Sequence, residues 1–156
     1  KPPKGVLELG MGPGVDLKLL QSAGFQVTGS DYSKLFVARF LETDPKADVL
    51  QLDAIHINTE RKFDVIYSNK VLHHLTLTEL EKSTLRQADV LNDNGIVCHT
   101  FWHGDDSYEM EGLDFQEYRI EQLKDIFEMN YEILHAEIYT EMEKDDSILI
   151  IGKKVD

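Results

Sequence analysis

Val6-Leu7-Glu8-Leu9-Gly10-Met11-Gly12-Pro13-Gly14, read as VLELGMGPG, stands near the start of the chain. An apolar run leads straight into three glycines spaced by other residues. The run reads as a buried strand and the glycines as the tight loop that follows it. Glycine lets backbone approach a ligand closely and reach angles other residues avoid. The helix that follows offers free N–H groups. The dinucleotide fingerprint needs G-x-G-x-x-G, and Val15 stands where its last glycine belongs. No G-K-[ST] follows, which excludes a triphosphate loop. Pro13 also removes one N–H that a phosphate cradle would use. Taken alone, the loop is a ligand cradle or a simple tight turn.

Outward from this loop, strand-like runs alternate with helical ones. Strands are expected at Gly5–Leu9, Phe25–Gly29, Asp48–Leu52, Phe63–Ser68 and Gly95–Phe101, with helices at Asp16–Ala23 and Ser33–Glu42. Thr78 and Glu81 fit a capping box opening a helix to about Leu91, and Asn92-Asp93-Asn94-Gly95 is a turn signal. Trp102–Glu117 reads as irregular and acidic, and Ile120–Glu128 as a helix. Tyr131–Glu141 and Ser147–Lys153 are two strands joined through Lys144-Asp145-Asp146, too short a joint for anything but an antiparallel pair. The expectation is an α/β fold, doubly wound, with a seven-stranded and mostly parallel sheet.

The chain has 156 residues, the size of one domain. Its formal net charge is −13, from 16 Lys+Arg against 29 Asp+Glu. That balance opposes a nucleic-acid partner, whose phosphates are met by Lys and Arg, and an anionic membrane surface. Cys98 is the single cysteine, inside an apolar run, and reads as a structural thiol in a reducing cytoplasm.

In an open α/β sheet, ligands bind at the carboxyl ends of the strands. Asp31-Tyr32 follows the second strand, and Asp31 lies 21 residues after Gly10, a spacing that suits a carboxylate on ribose hydroxyls. Asp31 and Ser33 compete as caps of the next helix. Asp53-Ala54 follows the third strand, where an acceptor meets an adenine amino group or simply closes a turn. After the fourth strand comes Ser68-Asn69-Lys70-Val71-Leu72-His73-His74-Leu75.

In order and at these spacings, VLELGMGPG, VTGSDYS, LDA, FDVIYSNKVLHHL and GIVCHTFW resemble the class I S-adenosylmethionine-dependent methyltransferases over essentially the whole chain. GLDFQEYRIEQLKDIFE and IYTEMEKDDSILIIGKK resemble the small-molecule branch of tellurite-resistance-type and UbiE-like enzymes. The resemblance implies a Rossmann-like sheet of order 3-2-1-4-5-7-6 with the last strand antiparallel. It implies that the loop Gly10, Met11, Gly12 and Gly14 passes under the methionine part of S-adenosylmethionine, ordered by Glu8. It implies Asp31 on the ribose, Tyr32 beside the adenine, Asp53 and Ala54 at the adenine edge, and Asn69 near the methionine.

The implied activity is methyl transfer to a small-molecule acceptor; the alternative is a catalytically silent cofactor-binding domain acting as a sensor or partner subunit. A nicotinamide oxidoreductase fits neither the glycine spacing nor the seven-strand ending. For a catalytic base the candidates are His103, His74 and His73, with His103 expected on the acceptor side. A packing role competes for each. His99 reads as a core histidine. No metal is expected, because His99 and His103 would stand about 13 Å apart along a straight strand. Trp102, Tyr108, Phe115 and Tyr118 form either an aromatic wall for the acceptor or a satellite core. Residues 1–156 are expected to be a single domain whose N-terminal lid segment is absent or lies outside this sequence.

Overall fold

The computed structural model describes residues 4–156. Its strands are β1 Gly5–Glu8, β2 Gln26–Asp31, β3 Val49–Gln51, β4 Phe63–Asn69, β5 Leu91–Trp102, β6 Ser107–Met110, β7 Leu113–Gln116, β8 Tyr131–Tyr139 and β9 Ser147–Lys154. Its helices are α1 Val15–Ser22, α2 Lys34–Thr43, α3 Leu77–Val90 and α4 Ile120–Glu128, and a single 3-10 turn spans Leu72–His74. The large sheet runs β3-β2-β1-β4-β5-β9-β8. Pairs from β3 to β5 are parallel, and β9 is antiparallel to both β5 and β8. Counting only its own strands, the sheet has the expected order 3-2-1-4-5-7-6.

The core forms two layers because β1 alternates. Val6 joins Leu17 of α1 and Phe40 of α2 on one face. Leu7, its neighbour, joins Leu80 of α3 and Leu123 and Phe127 of α4 on the other. Both faces are apolar because helices cover both. The crossovers bring every parallel strand out at the same edge, so the loops after β1 to β5 converge there.

Three local features depart from the sequence reading. The capping box uses Thr76 and Glu79, not Thr78 and Glu81. Both pairs have the same spacing, but Thr76 has the extended backbone of a cap and Thr78 is already helical. Asn92–Gly95 does not precede the strand; it interrupts β5, whose pairing with β4 passes from Phe63–Leu91 to Val65–Ile96. Asn94 turns that excursion at φ 61°.

The third departure is the acidic stretch after Trp102, which contains the hairpin β6–β7 instead of an irregular loop. Its turn is Glu111-Gly112, both at positive φ, as a two-residue hairpin turn requires.

Candidate functional site

A cavity of about 760 Å³ opens at the convergent edge, within the size range of small-molecule sites. Gly10 and Gly12 form its floor beside β1, and Asp31, Tyr32 and Phe36 one wall. Asp53, Ala54 and His56 form the wall after β3. Asn69, Lys70, Val71 and His74 face them from β4 and the 3-10 turn, and Leu113 of the hairpin reaches in from above.

The glycines are required for different reasons. Gly10 has φ 62°, and a Cβ there would meet Val71 Cγ1 at 2.6 Å. Gly12 has φ 52° with open space around it, so only backbone angle and ligand clearance need a glycine there. Gly14 precedes α1 at φ 88°, where a Cβ would meet Phe40 at 2.2 Å. Gly14 is therefore a packing position outside the cavity lining. Met11 also lies outside the cavity lining: its side chain is buried against Leu17 and Phe40, while its N–H donates to the Ser30 carbonyl at 2.8 Å.

Ser33 caps α2 by accepting from the Phe36 N–H, which decides the competition with Asp31. Asp31 is thus left to face the loop. Its Oδ2 accepts from the Gly12 N–H at 3.0 Å and its Oδ1 from the Ser33 N–H at 2.8 Å. Each oxygen keeps acceptor capacity toward the cavity. Tyr32 stands at the mouth, 76% exposed. Asp53 Oδ1 accepts from the Ile55 and His56 N–H groups at 2.8 and 2.6 Å. Burial works against its charge, but these bonds and the His56 ring outweigh it and hold the carboxyl below its usual range.

Glu8 stands beside the site with an unmet acceptor. It is 3% exposed and its Oε1 has no hydrogen-bond partner. Burial, then the charges of Asp16 and Asp31, push its carboxyl up to about 7. Asp16 was not singled out from the sequence, although it sits in the first turn after the glycine loop. Its Oδ2 accepts from the Tyr67 hydroxyl at 2.8 Å and the Asn69 amide at 3.3 Å.

Lys70 is the one Lys or Arg among the described residues lining the cavity, and it is already engaged. Its Nζ bonds Glu141 at 2.7 Å and the Ser147 hydroxyl at 2.8 Å, and lies 3.4 Å from the centre of the Trp102 ring. The site is therefore lined with carboxylates and holds no free strong cation.

The three histidines expected as bases separate. His74 lines the cavity. Its Nδ1 lies 2.9 Å from the Asp114 carbonyl, which can only accept, so in the neutral ring Nδ1 carries the proton and Nε2 is the acceptor. His73 is buried, stacked on Phe115 at 5.3 Å, with neither ring nitrogen bonded. Burial drops its pKa to about 3, so it packs as a neutral ring.

His103 does not take the acceptor-side position expected of it. Its Nδ1 donates to the Asp145 carbonyl at 2.7 Å, and its Nε2 accepts from Arg119 at 3.3 Å. It lies outside the cavity lining because the segment after β5 is drawn toward the β8–β9 loop. The four aromatics also part: Trp102 lies under Lys70, Tyr108 stacks on Phe115, and Tyr118 packs on Phe101.

A family model described as "Methyltransferase domain" matches residues 6–95, more than half of the chain. The chain belongs to this methyltransferase family. The matched part of the methyltransferase domain carries the glycine loop, Asp31, Asp53 and the β4 turn, the walls of the cavity. A curated relative, an uncharacterized methyltransferase of Alkaliphilus oremlandii (strain OhILAs), is 29% identical over 110 residues. The match takes in 69% of this chain and 50% of that protein, so the chain spans half the length of that relative.

Two solved structures share the fold. One is the Burkholderia thailandensis 1,6-didemethyltoxoflavin-N1-methyltransferase, which holds 1,6-didemethyltoxoflavin and S-adenosylhomocysteine (TM-score 0.83, 18% identity, 99% of this chain and 72% of that one). The other is TehB from Haemophilus influenzae (TM-score 0.75, 20% identity, 98% of this chain and 58% of that one).

Proposed function

We propose that residues 1–156 form a single S-adenosylmethionine-dependent methyltransferase domain acting on a small-molecule acceptor in the cytoplasm. The carrying observation is the charge of the cavity. Asp31 and Asp53 line it, Glu8 and Asp16 sit beside it, and its one strong cation is neutralised by Glu141. Such a site disfavours phosphates and suits a ligand that brings positive charge and hydroxyl donors. The unpaired Glu8 Oε1 fits an ammonium group, and the open acceptor positions on Asp31 fit ribose hydroxyls. Ala54 and Tyr32 supply an apolar edge and an aromatic face for an adenine. The single cysteine and the acidic charge support the cytoplasmic setting and the absence of nucleic-acid and membrane partners.

When bound, S-adenosylmethionine supplies a methyl already activated by its sulfonium and open to in-line attack. The chain's own part is to orient and to exclude water. Asn69 and Asp16 hold one end of the cavity rigid through their mutual hydrogen bond. Leu113 and the hairpin shield the side facing His74. His74 Nε2 receives the acceptor's proton, since the Asp114 carbonyl fixes the opposite tautomer. An acceptor small enough to enter a cavity of about 760 Å³ beside the cofactor is implied.

Calorimetric titration with S-adenosylmethionine, S-adenosylhomocysteine and NADH tests the reading. Micromolar binding of the first two without the third is expected, followed by turnover in an acceptor screen. Binding of NADH alone overturns the cofactor. Binding of S-adenosylmethionine with no turnover of any acceptor favours the silent sensor domain.

A further inference from the structure

The neutral core histidine His99 belongs to a continuous buried chain of hydrogen bonds. Its Nδ1 lies 2.7 Å from the Ser68 hydroxyl and its Nε2 2.7 Å from Gln87 Oε1. Gln87 Nε2 donates to the Ser83 hydroxyl at 3.0 Å, and Ser83 donates to the Ala54 carbonyl at 2.5 Å. Ser68, Ser83, Gln87 and His99 are all fully buried.

One end of this chain sets the direction of all of it. The Ala54 carbonyl can only accept, so Ser83 must donate to it. Ser83 then accepts from Gln87, which fixes the amide with its oxygen toward His99. His99 must donate from Nε2, and its bare Nδ1 must accept from Ser68. The two ends reach opposite walls of the cavity. Ala54 lines the wall after β3, and Ser68 precedes Asn69 on the wall after β4. Arg86, one residue before Gln87 on α3, also holds the segment after Ala54 by donating to the carbonyls of His56, Ile57 and Thr59. A fully satisfied buried network is stiff, and each member left unpaired is costly.

We propose that Ser83, Gln87 and His99 are positioning residues that hold Ala54 in place for the cofactor's adenine. The inference rests on the cofactor reading above. None of the three lines the cavity, so they act on the adenine through Ala54.

The test uses S-adenosylhomocysteine as the probe, with its Kd and the thermal midpoint measured for each variant. Ser83→Ala removes the donor to Ala54. Gln87→Met keeps most of the volume but removes both the donor to Ser83 and the acceptor for His99, so the Ser83 hydroxyl is no longer held toward Ala54. Both are expected to weaken binding by about tenfold. Ile126→Val, in the α4 face of the same core, supplies a comparable loss of midpoint without touching the chain of bonds, and its Kd is expected to stay that of the wild type.

If the two relay variants bind no worse than Ile126→Val, the positioning role is overturned. If the wild type binds and only the relay variants weaken, it stands. If the wild type itself does not bind the probe, the cofactor reading and this inference fall together. The nitrogen spectrum of the His99 ring checks the direction: a proton on Nδ1 instead of Nε2 overturns it.

Discussion

The Gly12 N–H donates to Asp31 Oδ2 over 3.0 Å, so the glycine loop and the end of β2 are held as one unit. In the proposed function Asp31 therefore has two duties, one to the loop and one to the cofactor. Asp31→Ala is expected to weaken S-adenosylhomocysteine binding by about 1–3 kcal/mol. Asp31→Asn, which keeps one acceptor oxygen, is expected to fall between the two. Titration calorimetry reads both, and an unchanged Kd in the alanine variant removes Asp31 from the ribose.

Gly10 and Val71 are expected to couple. A Cβ on Gly10 runs into the Val71 side chain, so Gly10→Ala should cost about 2–4 kcal/mol in stability and abolish detectable binding. Adding Val71→Ala should recover part of the stability but not the strain at φ 62°. Urea unfolding of the two single variants and the double variant measures the coupling. Strictly additive losses would show that the clash is relieved elsewhere.

In the proposed function Glu8 sets stability against binding. Its folded pKa of about 7 lies above the ordinary 4.5, so it stabilises the fold fully below pH 4.5 and that stabilisation is lost as pH rises through 7. Glu8→Gln is expected to raise stability at pH 8 by about 1–3 kcal/mol, to change little at pH 4.5, and to weaken S-adenosylmethionine binding. Unfolding curves at the two pH values, with one titration, check all three. A variant that loses stability at pH 8 would mean Glu8 has a partner in the folded protein.

His73 acts with the opposite sign. Its folded pKa is near 3 and its ordinary value 6.5, so its stabilisation is complete above pH 6.5 and lost as pH falls toward 3. His73→Phe should flatten the pH dependence of stability between pH 6 and pH 4 by about one proton, roughly 1.4 kcal/mol per pH unit. An unchanged slope would mean that the ring is protonated in the folded protein.

His74 and His103 divide the expectation for catalysis. With an acceptor in hand, His74→Ala should lower turnover about a hundredfold or more and leave cofactor affinity alone. His103→Ala should change turnover less than about twofold, because both of its ring nitrogens are occupied away from the cavity. The reverse pattern in initial rates would return the base to the end of β5.

What could be read from the sequence was local or placed by topology. VLELGMGPG announces a strand and its loop within nine residues, and once strands alternate with helices, Asp31 and Asp53 have to stand at strand ends beside it. Partners far apart in the chain could not be read this way. His103 looked free because the Asp145 carbonyl that holds it lies 42 residues later. The pairing of Lys70 with Glu141 spans 71 residues and leaves no local signal in the sequence. The β6–β7 hairpin was hidden by composition, since its turn Glu111-Gly112 sits between Glu109 and Asp114 in an acidic stretch.

That hairpin also bears on how such a protein could be altered. It is built from one uninterrupted stretch, Ser107–Gln116, forms its own two-stranded sheet, and meets the 3-10 turn through Phe115 and the Asp114 carbonyl. The glycine loop, Asp31 and Asp53 lie on other segments of the chain. The hairpin is thus an exchangeable cassette: a different ten-residue insert that keeps an aromatic ring over His73 would give the cavity a new ceiling while its floor stayed intact.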